Sequence, residues 1–177
     1  HIYALMFSAA TMLMPVESYG YKYYSINYYQ TRSGTSPADW YSWFYAVASE
    51  DNTRLEITPS DTTKNGWLPG VTYTINLNKG ETFSVFGKAI FNFNPDSASK
   101  DMTGSKIVSV PGNDNKCHPF GLFSGSGGIR FCPGDGGEAM QQQIFPAQAW
   151  GTRYLTHHTI NNTNTNINAT FRNYYRI

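Results

Sequence analysis

Apolar and aromatic residues recur along this chain with the period of strands, not of helices. Over residues 54–57 the alternation is strict, with Leu55 and Ile57 on one face and Arg54 and Glu56 on the other, as a half-buried antiparallel strand requires. Residues 40–49 form a second strong strand candidate, followed by Glu50, Asp51 and Asn52, short polar side chains suited to a turn. Residues 71–86 predict a hairpin whose turn is Asn78-Lys79-Gly80-Glu81, with Gly80 able to take positive φ. Further strands are expected over 88–93, 105–110, 120–124, 129–132, 153–160 and 167–175. The Tyr-dense stretch 18–30 predicts a strand with rings on both faces. Residues 136–143 (GGEAMQQQ) are the one stretch suited to about two turns of helix.

Loops separate these elements at 31–39, rich in Gly, Ser and Pro, and at 161–168, a low-complexity Asn/Thr run. Its sequons at Asn161 and Asn168 matter only where the source glycosylates secreted proteins. The apolar run 2–16 has no basic flank and is short for a membrane span, so it is expected to be a buried strand and connection. About ten short strands with too few helices to cover a parallel sheet predict a mostly β fold, an antiparallel β-sandwich or partly closed barrel with Gly/Pro-rich turns. The length of 177 residues suits one domain. Because the chain starts inside an apolar run and stops in a predicted strand, 1–177 is read as one module cut from a larger β domain.

Composition narrows the function. Charged residues are only 14%, with 13 Lys+Arg against 12 Asp+Glu, which provides no basic stripe for phosphate contacts and argues against a nucleic-acid reader. The 13 Tyr, 11 Phe and 4 Trp supply the apolar burial that disordered chains of low charge lack. Cys117 and Cys132 enclose a short Gly/Ser/Pro loop. Oxidised, they would stabilise the fold by roughly 3 kcal/mol and indicate an oxidising compartment; free thiols or an incomplete metal site are the alternatives.

No constellation of catalytic residues stands out. The glycines over 121–128 lack the Gly-Lys-Ser/Thr of a phosphate loop and are expected to form a tight turn or bulge. Ser124, His157 and Asp135 assemble into a triad only on paper, since Ser124 lacks the nucleophile elbow. Adjacent His157 and His158 would point to opposite faces of a strand, and His118 is read as a surface or hydrogen-bonding residue. No cofactor is expected. Asp135 and Glu138, after a carbonyl-rich loop, are the weak candidates for Ca²⁺. Tyr21, Tyr23, Trp40 and Trp67 are the candidate contact rings for sugars or for another protein; Trp43 and Phe44 are expected in the core.

Six blocks in order resemble the IgGFc-binding protein N-terminal domain family, found in large secreted and cell-surface proteins including those of Bacteroidetes. They are 14–24 (MPVESYGYKYY), 46–58 (AVASEDNTRLEIT), 77–82 (LNKGET), 101–107 (DMTGSKI), 116–132 (KCHPFGLFSGSGGIRFC) and 141–156 (QQQIFPAQAWGTRYLT). Together they span nearly the whole chain. The resemblance implies a β-rich module of extracellular or cell-surface proteins concerned with adhesion, and a family disulfide mapping onto Cys117 and Cys132. The family's acidic residue after the second cysteine is matched only loosely by Asp135 or Glu138, and no catalytic residue carries over. The resulting expectation is a non-enzymatic adhesion or recognition module contacting glycan or protein through aromatic and polar loops, not membrane-spanning. Its competitor is a structural subunit of a filament or stalk, in contact with copies or neighbouring domains.

Overall fold

A computed structural model describes residues 9–28, 30, 41–90, 99–129 and 138–155. Among these are eight strands: β1 Lys22–Tyr24, β2 Ser42–Ala48, β3 Thr53–Thr58, β4 Tyr73–Leu77, β5 Thr82–Phe86, β6 Lys106–Val110, β7 Phe120–Ile129 and β8 Glu138–Ile144. They form two four-stranded antiparallel sheets, ordered β1-β6-β3-β4 and β5-β2-β7-β8. Neither closes into a barrel, so the mostly β sandwich is the form the chain takes.

Strand alternation builds the core. In β2, Ser42, Phe44, Ala46 and Ala48 are buried while Trp43, Tyr45 and Val47 face outward and are half-buried. In β3, Thr53, Leu55 and Ile57 point inward opposite them. Phe44, Leu55, Ile57, Ile107, Phe120 and Leu122 are all buried, in the apolar core cluster to which both sheets contribute. Ser124 and Ser126, alternate residues of β7, also face inward, and their hydroxyls donate to the carbonyls of Ile26 and Tyr28 at 2.8 Å each. These bonds dock the stretch after β1 without a backbone ladder.

Three expectations change. The 71–86 segment is not a hairpin: β4 pairs with β3 and β5 pairs with β2, so the turn at 78–81 crosses from one sheet to the other. The turn chemistry itself is present, with Gly80 at φ 81° and Glu81 Oε2 accepting the Asn78 N–H at 2.7 Å. Turn residues fix a reversal but not its partner, which the inward faces of the two strands decide. Of the helix expected over 136–143, the described residues from 138 on form the strand β8 instead, because pairing with β7 overrides the helix preference of Ala, Met and Gln. In the apolar run 2–16 the described residues 9–16 contain no strand of a ladder, and Met12 and Leu13 are 76% and 72% exposed.

Other boundaries shift. The strand expected at 120–124 runs on to Ile129 as the ten-residue β7, with a register shift between Ser126 and Ile129 where the glycines lie, and residues 130–132 of the strand expected at 129–132 lie outside the described residues. Of 18–30, only β1 joins a sheet ladder, with Gly20 and Gln30 in isolated bridges. Of the strand expected over 88–93, residues 88–90 hold only a single bridge from Ala89 to Ser99, and 91–93 lie outside the described residues. Residues 153–155 are not in a strand, and the remainder of 153–160 together with 167–175 lies outside the described residues.

Candidate functional site

The outer face of the β5-β2-β7-β8 sheet carries a row of rings seated by glycines. Along β7 the sequence Gly121-Leu122-Phe123-Ser124-Gly125 points Leu122 and Ser124 to the core and the other three to the outer face, where they too are buried beneath neighbouring side chains. A Cβ on Gly121 would run into the Tyr19 ring, and one on Gly125 would meet the Met140 carbonyl and the Trp43 ring. Glycine at these positions therefore lets two aromatic rings approach the strand closely. Between them Phe123 stacks on Tyr45 with ring centroids 4.9 Å apart and planes at 8°, and Tyr45 stacks on Trp43 at 5.7 Å and 17°. Register places Trp43 beside Phe86 of β5. Phe86 meets Tyr41 edge-on at 5.7 Å, and Lys64 Nζ lies 4.3 Å from the Tyr41 ring centre, a cation–π contact. Burial, with a smaller contribution from Tyr19, pushes the Tyr45 hydroxyl pKa up.

Most of these rings spend their faces on one another. A sugar stacks on an open aromatic face, whereas this slab presents ring edges, an exposed Phe86 and one cation. Such a surface suits the mixed side chains of a protein better than a pyranose ring.

The rings singled out from sequence are dispersed. Tyr21 is 47% exposed. Tyr23 is corrected from contact ring to core: it is 1% exposed, and its hydroxyl donates to the Phe120 carbonyl at 2.7 Å and accepts the Gly20 N–H at 2.8 Å. Trp67 is half-buried, stacked on Tyr73 at 4.3 Å and on Phe83 at 5.7 Å. Those partners belong to β4 and β5, so Trp67 closes the gap between the two sheets on that side. Trp40, Cys132 and Asp135 lie outside the described residues, as does the side chain of Glu138, whose backbone opens β8. Cys117 is exposed. Trp43, expected in the core, is instead on the outer face. The signal for the ring row was the pairing of small and large residues, Ser-Trp-Phe-Tyr-Ala in β2 against glycines four apart in β7.

At one end of the sandwich His118 joins two loops. Its ring nitrogens lie 2.8 Å from Glu50 Oε2, in the turn after β2, and 2.8 Å from Asp114 Oδ2, in the loop before β7. The residue is 6% exposed. The Glu50 hydrogen bond raises its pKa most, burial opposes this, and Asp114 adds to the rise. The sequence reading of a hydrogen-bonding residue fits, but not that of a surface one. With both nitrogens engaged, His118 has the geometry of a loop clasp.

Ser124 is 0% exposed, and its hydroxyl bonds to the backbone of Ile26. His157 and Asp135, the other members of the paper triad, lie outside the described residues. Among the described residues no group of three or more His, Cys, Asp and Glu could hold a metal, and no helix is long and apolar enough to cross a membrane.

Comparison with known proteins adds one finding. A family model described as IgGFc binding protein matches residues 9–177. No curated protein and no solved structure matches the chain. The match covers the outer-face rings, the His118 clasp and every described strand, and the chain belongs to the IgGFc-binding protein family.

Proposed function

We propose that this chain is a non-enzymatic extracellular recognition module of an adhesive surface or secreted protein, and that it contacts a protein partner through the ring-bearing outer face of the β5-β2-β7-β8 sheet. The family supports binding as the broad role, and the partner in the family's description, the Fc region of IgG, is one protein to try. One observation favours protein over glycan: Trp43, Tyr45 and Phe123 occupy one another's faces, which leaves edges and the Tyr41-Lys64-Phe86 group for contact. Aromatic residues such as Tyr41, Trp43 and Phe86 are enriched at protein contacts.

The test is a surface-binding panel of IgG Fc and secreted mucin glycoproteins, each before and after enzymatic removal of glycans. The reading expects a binder that keeps its affinity when deglycosylated and loses at least about tenfold with Phe86→Ser, the order of one aromatic hot-spot contact. Binding that disappears with the glycans would overturn protein recognition in favour of a sugar ligand.

A further inference from the structure

Among the described residues no strand pairs with the outer edge of β8, and its sequence can satisfy the backbone groups there with a second copy of itself. β8 is the last strand of its sheet and, at seven residues, is longer than the edge strands β1, β4 and β5. Gln143 fixes which of its residues look outward. The Gln143 N–H points away from β7, donating to Thr11 Oγ1 at 3.0 Å, while Gln143 Oε1 accepts the Met14 N–H at 2.7 Å. By strand alternation the N–H and C=O groups of Gln141 and Ala139 face the same way, away from β7. Among the described residues, the 11–14 stretch guards the Gln143 end.

Edges are commonly blunted by Lys, Pro or a covering element. The three-residue β1 carries Lys22 and lies beside the 3-10 turn Ala147–Ala149. The end of β5 is bridged by the loop before β4, through the Thr63–Gly87 bridge. β8, Glu-Ala-Met-Gln-Gln-Gln-Ile, contains neither Lys nor Pro.

We propose that two copies of this chain pair antiparallel through β8 about a two-fold axis at Met140, joining two four-stranded sheets into one of eight strands. In this register Ala139 of one copy faces Gln141 of the other, so both outward residues exchange hydrogen bonds across both pairs. The contact is isologous, as closed dimers require. Charge fits it as well. Glu138, the strand's one charged residue, stands opposite Gln142 of the second copy and away from the other Glu138, so no like charges meet. The axis leaves Gln143 and its guarding segment outside the paired stretch. A formal net charge of +1 puts little long-range repulsion between copies. The pairing uses a different part of the sheet from the ring row and does not depend on the recognition reading.

Sedimentation velocity on the full chain over a range of concentrations tests this. A concentration-dependent dimer is expected. The double variant Ala139→Lys/Gln141→Lys sets lysines opposite lysines and should weaken dimerisation at least about tenfold; Ala139→Glu/Gln141→Glu should do the same. Mixing the two variants should restore a dimer, now of one copy of each, which separates a broken edge from a damaged fold. A wild-type chain that stays monomeric, a lysine variant that dimerises like wild type, or a mixture without the mixed dimer would each overturn the proposal.

Discussion

Tyr23 offers a test of the packing between the sheets in which geometry sets both size and pH dependence. Its hydroxyl accepts from Gly20 N–H and donates to the Phe120 carbonyl, and its ring lies 4.8 Å from that of Phe120. Tyr23→Phe keeps the ring and removes both bonds, which for buried groups costs about 1–3 kcal/mol. The pH dependence is more specific. Burial raises the Tyr23 pKa, more than the Gly20 N–H lowers it, from the ordinary 10.0 to about 12. The folded chain therefore holds this proton where the unfolded chain has lost it, and stability falls as pH rises through the unfolded value towards the folded one. The fall integrates to about 2.7 kcal/mol, of which about 1.4 kcal/mol is spent by pH ~11. Urea unfolding followed by circular dichroism at about pH 8 and pH 11 should show wild type ahead of Tyr23→Phe by about 2 kcal/mol at the lower pH, with the gap reduced by about 1.4 kcal/mol at the higher. The other tyrosines ionise in both proteins and cancel in the difference. An equal gap at both pH values would refute the buried, doubly bonded hydroxyl.

Further expectations follow from the clasp, the glycines and the cysteines. Because the His118 pKa is raised in the fold, its ionic stabilisation is complete below the unfolded value of roughly 6.5 and is lost as pH rises through the folded one. Thermal melts of His118→Gln should lack that decline, and a wild-type melting temperature unchanged across this window would contradict the clasp. Gly125→Ala forces a methyl against the Met140 carbonyl and the Trp43 ring and should cost about 1–3 kcal/mol, read as a lowered urea midpoint; a neutral result would mean that β7 and β8 are not in this register. Reducing the chain should lower its stability by roughly 3 kcal/mol if Cys117 and Cys132 are bridged, and unchanged melting under reductant would count against that bridge.

The inward-facing half of the fold was legible where alternation was clean. Leu55 and Ile57 lie on the buried face of β3 as the two-residue period requires, and the turn at 50–52 is present with Asn52 at φ 56°. Partner choice was not legible. Residues 71–86 carry every local sign of a hairpin, yet β4 and β5 part company because Leu77 and Val85 pack into the core from opposite sheets. In β8 the helix preference of Ala, Met and Gln gave way to a ladder with β7, which only the folded neighbour supplies. Tyr23 shows why the contact rings were hard to pick: a strand with rings on both faces gives no sign of which face is inside, and a bonded hydroxyl makes tyrosine as suitable for the core as for the surface. The ring row was readable only by combining two distant segments, the aromatics of β2 and the spaced glycines of β7.

The recognition reading is tested most directly by hydroxyl-radical footprinting of the chain alone and with a saturating deglycosylated binder from the panel. Protection of Tyr41, Trp43 and Phe86, with Tyr21 and Leu68 oxidised as in the free chain, is the predicted result. Protection that falls on Tyr21 or Leu68 and leaves Tyr41, Trp43 and Phe86 unchanged would contradict the outer face of the β5-β2-β7-β8 sheet as the binding surface.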